Sequence, residues 1–221
     1  MKKQFDEKAV SHVEIIGGAD GPTSVFILDK KHGKATLKQI IYKSLYVKRK
    51  KRVIKSIKAN PHSMDEVIEY TKAKWEFSEI DRDTAEFQTE YRELRAAFLL
   101  QYSPKLLGDL AELPELESHS ADAVKAFMEQ MDKRQKAAEE ISKELFDIEL
   151  YVLERRENDV SSKVTIEKKY GYIGGSASGR KNIKIFDKIF RDIYKYYGVS
   201  QEDIDKKTKR YEELIKTLAK R

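Results

Sequence analysis

The residues able to do chemistry in this chain are few in kind. None of the 221 residues is a cysteine, so a thiolate nucleophile, a disulfide framework and a Cys-ligated zinc or iron–sulfur site are all excluded. The four histidines, His12, His32, His62 and His119, are widely separated. None stands three or four residues from another, the spacing that would put two imidazoles on one helix face around a metal. No serine occupies a nucleophile elbow. Glu86, Glu90 and Glu93 share a helical spacing, yet Arg92 and Arg95 run beside them, which is the pattern of a salt-bridged solvent face. The sequence therefore identifies no catalytic residue, no metal ligand and no cofactor site, and it leans towards a protein that is not an enzyme.

Charge is more informative. The chain carries 44 Lys+Arg against 38 Asp+Glu, a net +6, but the excess is local. Residues 30–64 hold twelve Lys or Arg and no acid, so the remainder of the chain is net negative. Local field decides what a surface attracts. The centre of the run offers Lys43, Lys48, Arg49, Lys50, Lys51, Arg52, Lys55 and Lys58, with Tyr42 and Tyr46 one helical turn apart. Each Lys or Arg that neutralises a phosphate releases a counterion, so such a segment suits a nucleic-acid backbone. The tyrosines would stack on bases or pack beneath the cations. Helix-turn-helix spacing, zinc fingers and RNA-recognition signatures are absent, which favours backbone contact over base readout. An acidic protein partner is the alternative. Attraction to an anionic membrane surface is a third reading, weakened because the segment lacks the Trp or Phe usual in interfacial helices.

Two glycine-rich segments stand apart. The second, Tyr170 to Lys181, reads as a loop between a strand and a helix, where Ser176, Ser178, Arg180 and Lys181 would bind a phosphate or other small anion. Gly174 and Gly179 have P-loop spacing, but Arg180 replaces the required lysine and Lys181 the Ser/Thr that would hold magnesium, so nucleotide hydrolysis is rejected. The first runs Ile15-Ile16-Gly17-Gly18-Ala19-Asp20-Gly21-Pro22-Thr23-Ser24-Val25-Phe26-Ile27. It reads as a turn in which Gly17, Gly18 and Gly21 permit positive φ and Asp20 bonds its own backbone, or as a recognition loop. These 13 residues resemble a signature segment of the beta subunits of sodium-ion-translocating decarboxylases. The resemblance implies a cation-associated role for Asp20, which occupies the position of the motif's aspartate. Those subunits are polytopic, whereas the longest apolar runs here, such as Ala96 to Leu100, fall far short of the roughly 18 residues a membrane helix needs. Ion pumping therefore does not follow from the resemblance. The polar start of the chain predicts no export signal, and the expected compartment is the cytoplasm.

The elements that must position these residues follow from periodicity. Strands are expected at His12 to Ile16 and Ser24 to Leu28, then a basic helix from Thr36 to about Ala59, stopped by Asn60-Pro61. Ser63 and Glu66 form a capping box for the next helix. Asp81 or Asp83 should cap a third, whose stripe of Phe87, Tyr91, Leu94, Phe98 and Tyr102 predicts core. Ser120 should cap a fourth. Alternation through Phe146, Ile148, Leu150 and Val152 predicts a strand, with a turn at 157–159 and a partner strand holding Val164 and Ile166; continuation of the preceding helix through Leu153 is the rival reading. A helix ended by Gly198 and a last helix from Ser200 follow. Together these predict one mostly helical α+β domain over residues 1–221, comprising a strand pair (12–28), a helical region (36–142), a hairpin (146–169) and two C-terminal helices (180–221). One small antiparallel sheet is expected to join the N-terminal strands to those of the C-terminal half.

Overall fold

The computed structural model describes residues 13–15, 25–27, 37–116, 118, 120–157 and 160–220, and the side chains of these from residue 41 onward except that of Arg180. The chain is α+β and mostly helical, with a small antiparallel sheet, as its periodicity predicts. It divides into two compact units, one of Lys34–Asp81 with Glu149–Arg221, the other of Met1–Gly33 with Arg82–Ile148.

The first unit carries α1 (Leu37–Ser56), α2 (Met64–Trp75), α5 (Arg180–Tyr197), α6 (Gln201–Lys206) and α7 (Lys209–Ala219) with a four-stranded sheet ordered β3 (Ser78–Glu79), β4 (Leu150–Glu157), β5 (Val160–Glu167) and β6 (Tyr172–Ala177). All neighbouring strands are antiparallel, with Leu153 opposite Val164 and Ile166 opposite Ile173. These four side chains are buried against Val67 and Ile68 of α2 and Ile189 and Ile193 of α5. Burial of such a set is the main driving force for this layer, at about 25 cal/mol per Å² of apolar area. Val53 and Ile57 pack on the same cluster, and α1 lies along α7. The capping box read from sequence is present: the Ser63 hydroxyl accepts from the Glu66 N–H, and the Glu66 carboxylate accepts from the Ser63 N–H at 2.7 Å.

The other unit packs α3 (Ala85–Tyr102) against α4 (Ala121–Glu140), with a short 3₁₀ segment, Pro104–Ala111, between them in sequence. Phe87, Leu94 and Phe98 are buried as the stripe predicts, and Tyr102 is exposed. Ser120 caps α4 as expected. Two arginines are buried here because carbonyls left open at helix ends need donors. Arg95 donates to the Ile141 and Phe146 carbonyls, and Arg134 to those of Leu110 and Ala111.

Several expectations are corrected. The N-terminal strands, β1 (Val13–Ile15) and β2 (Val25–Ile27), pair with each other as a separate two-stranded sheet, and β3 takes the place at the edge of the larger one. The cap of α3 is Thr84, whose hydroxyl accepts from the Phe87 N–H, not Asp81 or Asp83. Regular strand begins at Leu150; Phe146 and Ile148 are buried but precede it. Residues 172–177 form a strand instead of a loop, because their glycines accommodate neighbours: a Cβ on Gly175 would lie 2.5 Å from the Phe186 ring. The last helix is two, since Lys207 takes φ 51° and Thr208 starts a new cap. Asp203 joins the pieces, accepting from both Ser200 and Thr208.

Candidate polyanion interface

The eight cations of the basic segment all lie on or just after α1, a 20-residue helix with no acidic residue in its first turn and Lys55 in its last. With about 100° between successive residues, Tyr46, Arg49, Val53 and Ile57 make one narrow stripe. These four are the half-buried residues of the segment, and Val53 and Ile57 among them pack on the core. Opposite them, Lys48, Lys51 and Lys55 recur at steps of three and four residues and form a ridge in solvent, with Lys58 exposed just past the end of the helix. Lys43 and Lys50 lie on one flank of that ridge and Arg52 on the other, all exposed.

None of these eight cations makes an ion pair with a carboxylate among the described residues. The acids nearest in sequence are engaged elsewhere. Asp65 pairs with Lys168 at 2.8 Å, and Lys168 is held on its other side by Glu149, also at 2.8 Å. Hydrogen bonds from Lys168 to these two carboxylates push its pKa above the usual lysine range. Glu69 and Glu79 take Lys72, and Asp192 takes Lys74. Among the described residues, these acids are therefore not spent on the cations of α1.

The two tyrosines separate. Tyr42 is 62% exposed, while Tyr46 sits on the inner stripe. The apolar side chains that do face outward among the cations are Ile41, Leu45, Val47 and Ile54.

In the second glycine segment, part of the expected anion site is taken up by the fold. Ser176 lies in β6 opposite Lys163. The Ser178 hydroxyl already accepts from the Ser161 N–H at 2.9 Å, and the Asn182 amide donates to the Ser161 carbonyl and the Ser162 hydroxyl. Lys181 is exposed at the start of α5, whose cap, Gly179, offers no side-chain acceptor. The Arg180 side chain lies outside the described residues, as do Gly17, Gly18, Asp20 and Gly21 and the histidines His12, His32 and His119.

His62 belongs to a cluster that sequence spacing does not reveal. Its ring stacks on Tyr196 with centroids 4.0 Å apart, and Tyr196 stacks on Tyr70 at 3.7 Å. Tyr70 and Trp75 both donate to the same oxygen of Asp192, at 2.7 and 3.0 Å, and Lys74 reaches that carboxylate at 2.9 Å. Burial pushes the Asp192 pKa up, but the hydrogen bonds from Lys74, Tyr70 and Trp75 outweigh it and hold the carboxyl below its usual range. The Asp192 carboxylate is held by three donors of α2, so this ladder ties α2 to α5. An open cleft of about 550 Å³ lies beside the sheet edge, lined by Glu76, Ser78 and residues 154–157. Its charges pair locally, Arg155 with Glu157 and Arg156 with Glu154.

No protein-family model, curated protein or solved structure matches the chain. Among the described residues no helix is long and apolar enough to cross a membrane.

Proposed function

We propose that the protein is a non-enzymatic binding protein that contacts a polyanion, nucleic acid or a ribonucleoprotein, through the outer face of α1. The observation that carries this reading is the ridge Lys48, Lys51 and Lys55 with Lys58 and its flanks, exposed and without an ion pair among the described residues, while Asp65, Glu69, Glu79, Glu149 and Asp192 of the same unit pair with other lysines. Phosphate neutralisation depends on salt through counterion release, so the test is affinity for short DNA and RNA across ionic strength. Engagement of about six phosphates gives a log–log slope of roughly −5, and no binding at about 50 mM salt removes the reading.

A second reading is favoured by the apolar side chains exposed among the cations, Leu45, Val47 and Ile54. An acidic amphipathic protein segment would cover both chemistries at once. Pull-down before and after nuclease treatment separates the two: a protein partner that survives digestion supports the second reading, and loss of all bound material supports the first.

A further inference from the structure

The cations of α1 do not point one way. At about 100° per residue, Lys50 and Arg52 project from opposite flanks, and the ridge cations fill the outer arc of about 200° between them. Lys43 shares the flank of Lys50, and Lys48 lies towards that of Arg52. Only the stripe Tyr46, Arg49, Val53 and Ile57 is given over to the fold. A flat anionic surface neutralises one side of a helix. Cations on both flanks and on the crest are neutralised together only where phosphates rise on both sides, as two walls of a groove.

The groove must admit a helix. With side chains an α-helix is about 10–12 Å across, and the B-DNA major groove is about 12 Å wide. The major groove of A-form RNA is too narrow and deep for side chains to enter. The leading end of α1 is open enough to enter: all five residues from Ile41 to Leu45 are exposed, and five consecutive helical residues point around the whole circumference. Val47 and Ile54, two turns apart on one side, bring apolar surface of the kind that meets thymine methyl groups.

We infer that α1 seats in the major groove of double-stranded DNA, with Lys43 and Lys50 towards the phosphates of one strand and Lys48 and Arg52 towards those of the other. This rests on the polyanion reading and specifies which polyanion and in what pose.

The test measures binding of the full chain to a DNA duplex of about 24 base pairs, the RNA duplex of the same sequence and the single DNA strand, all at about 100 mM salt. The DNA duplex is expected to bind at least about tenfold tighter than the RNA duplex. The double variants Lys43→Glu with Lys50→Glu, and Lys48→Glu with Arg52→Glu, are each expected to weaken DNA binding about tenfold or more, with the melting temperature of the protein little changed because these side chains are exposed and make no ion pair among the described residues. Methyl green, a major-groove ligand, should displace the unaltered protein, which provides a readout independent of any variant. RNA bound as tightly as DNA, loss from one flank only, or indifference to methyl green each overturns the groove pose and leaves the polyanion reading standing. Binding to none of the three nucleic acids removes both.

Discussion

Gly198 and Asn60 meet backbone to backbone. A Cβ placed on Gly198 would lie 2.0 Å from the Asn60 carbonyl oxygen, and Gly198 takes φ 57° and ψ −163°, a conformation that side chains resist. The Asn60 N–H donates to the Val199 carbonyl at 2.9 Å, and the His62 N–H to that of Tyr197 at 3.1 Å. Arg210 donates to the carbonyls of Gly198, His62 and Tyr197 and lies over the Tyr197 ring. This junction fastens the end of the basic helix to the end of α5.

Substituting Gly198→Ala should therefore be costly on two counts, positive φ and a clash with backbone that no rotamer change relieves. We expect a loss of about 3 kcal/mol in unfolding free energy by urea titration. A change within about 0.5 kcal/mol, the range of an ordinary surface substitution, would show that the junction yields freely.

Glu167 is fully buried yet well satisfied. One carboxylate oxygen accepts from the N–H groups of Glu149 and Lys169, each at 3.0 Å, and the other from Tyr170 at 2.7 Å. An ionised carboxylate suits three donors because it only accepts. Glutamine at this position keeps the size but turns an NH₂ group towards at least one backbone N–H. Glu167→Gln is expected to destabilise by about 2–3 kcal/mol, because a buried donor loses its acceptor. Equilibrium unfolding measures it; stability equal to that of the unaltered chain would mean the turn after β5 does not depend on the carboxylate.

Local bonds were legible in the sequence and distant ones were not. The Ser63 and Glu66 box involves residues three apart, so its spacing alone specifies it. The β4–β5 hairpin was legible because alternation is a property of contiguous residues. The glycines of β6 read as a turn because their actual reason, Phe186 and Phe190 of α5 lying over Gly175, comes from across the fold. The break at Lys207 carries no signal in residue type, since positive φ there falls on a lysine. The cation run could be read directly, but the engagement of the nearby acids by other lysines could not. That depends on Asp65 meeting Lys168, a pairing across about a hundred residues.

Acid should act on the Asp192 cluster. Its pKa is depressed in the folded state, so its contribution to stability is complete above the ordinary aspartate value of about 4 and is lost as pH falls through the folded value. Asn at this position cannot ionise, yet it can still accept from Tyr70 and Trp75. Asp192→Asn should therefore lower stability at neutral pH and flatten its fall below about pH 4. Asp203, also depressed in the folded state, keeps some slope in the variant. Urea midpoints across pH read both effects, and an unchanged slope would remove Asp192 from the acid response.

Like-charged side chains crowded along α1 also carry a cost to the fold, which separates stability from binding. Lys48 and Lys51, Lys51 and Lys55, and Arg52 and Lys55 are like-charged neighbours at three or four residues within α1, and each such pair destabilises a helix by about 0.2–0.5 kcal/mol at low salt. Replacing Lys51→Gln and Lys55→Gln removes all three repulsions and retains good helix formers. The variant is expected to be more stable by about 1 kcal/mol at low salt, with the gain shrinking as salt screens the ridge. Its affinity for a polyanion should fall at the same time, and the salt slope should drop by about 2, roughly one unit for each phosphate no longer neutralised. Opposite signs for the two measurements are what a ridge kept for binding requires. Loss of stability together with loss of affinity would instead show that these lysines serve the fold.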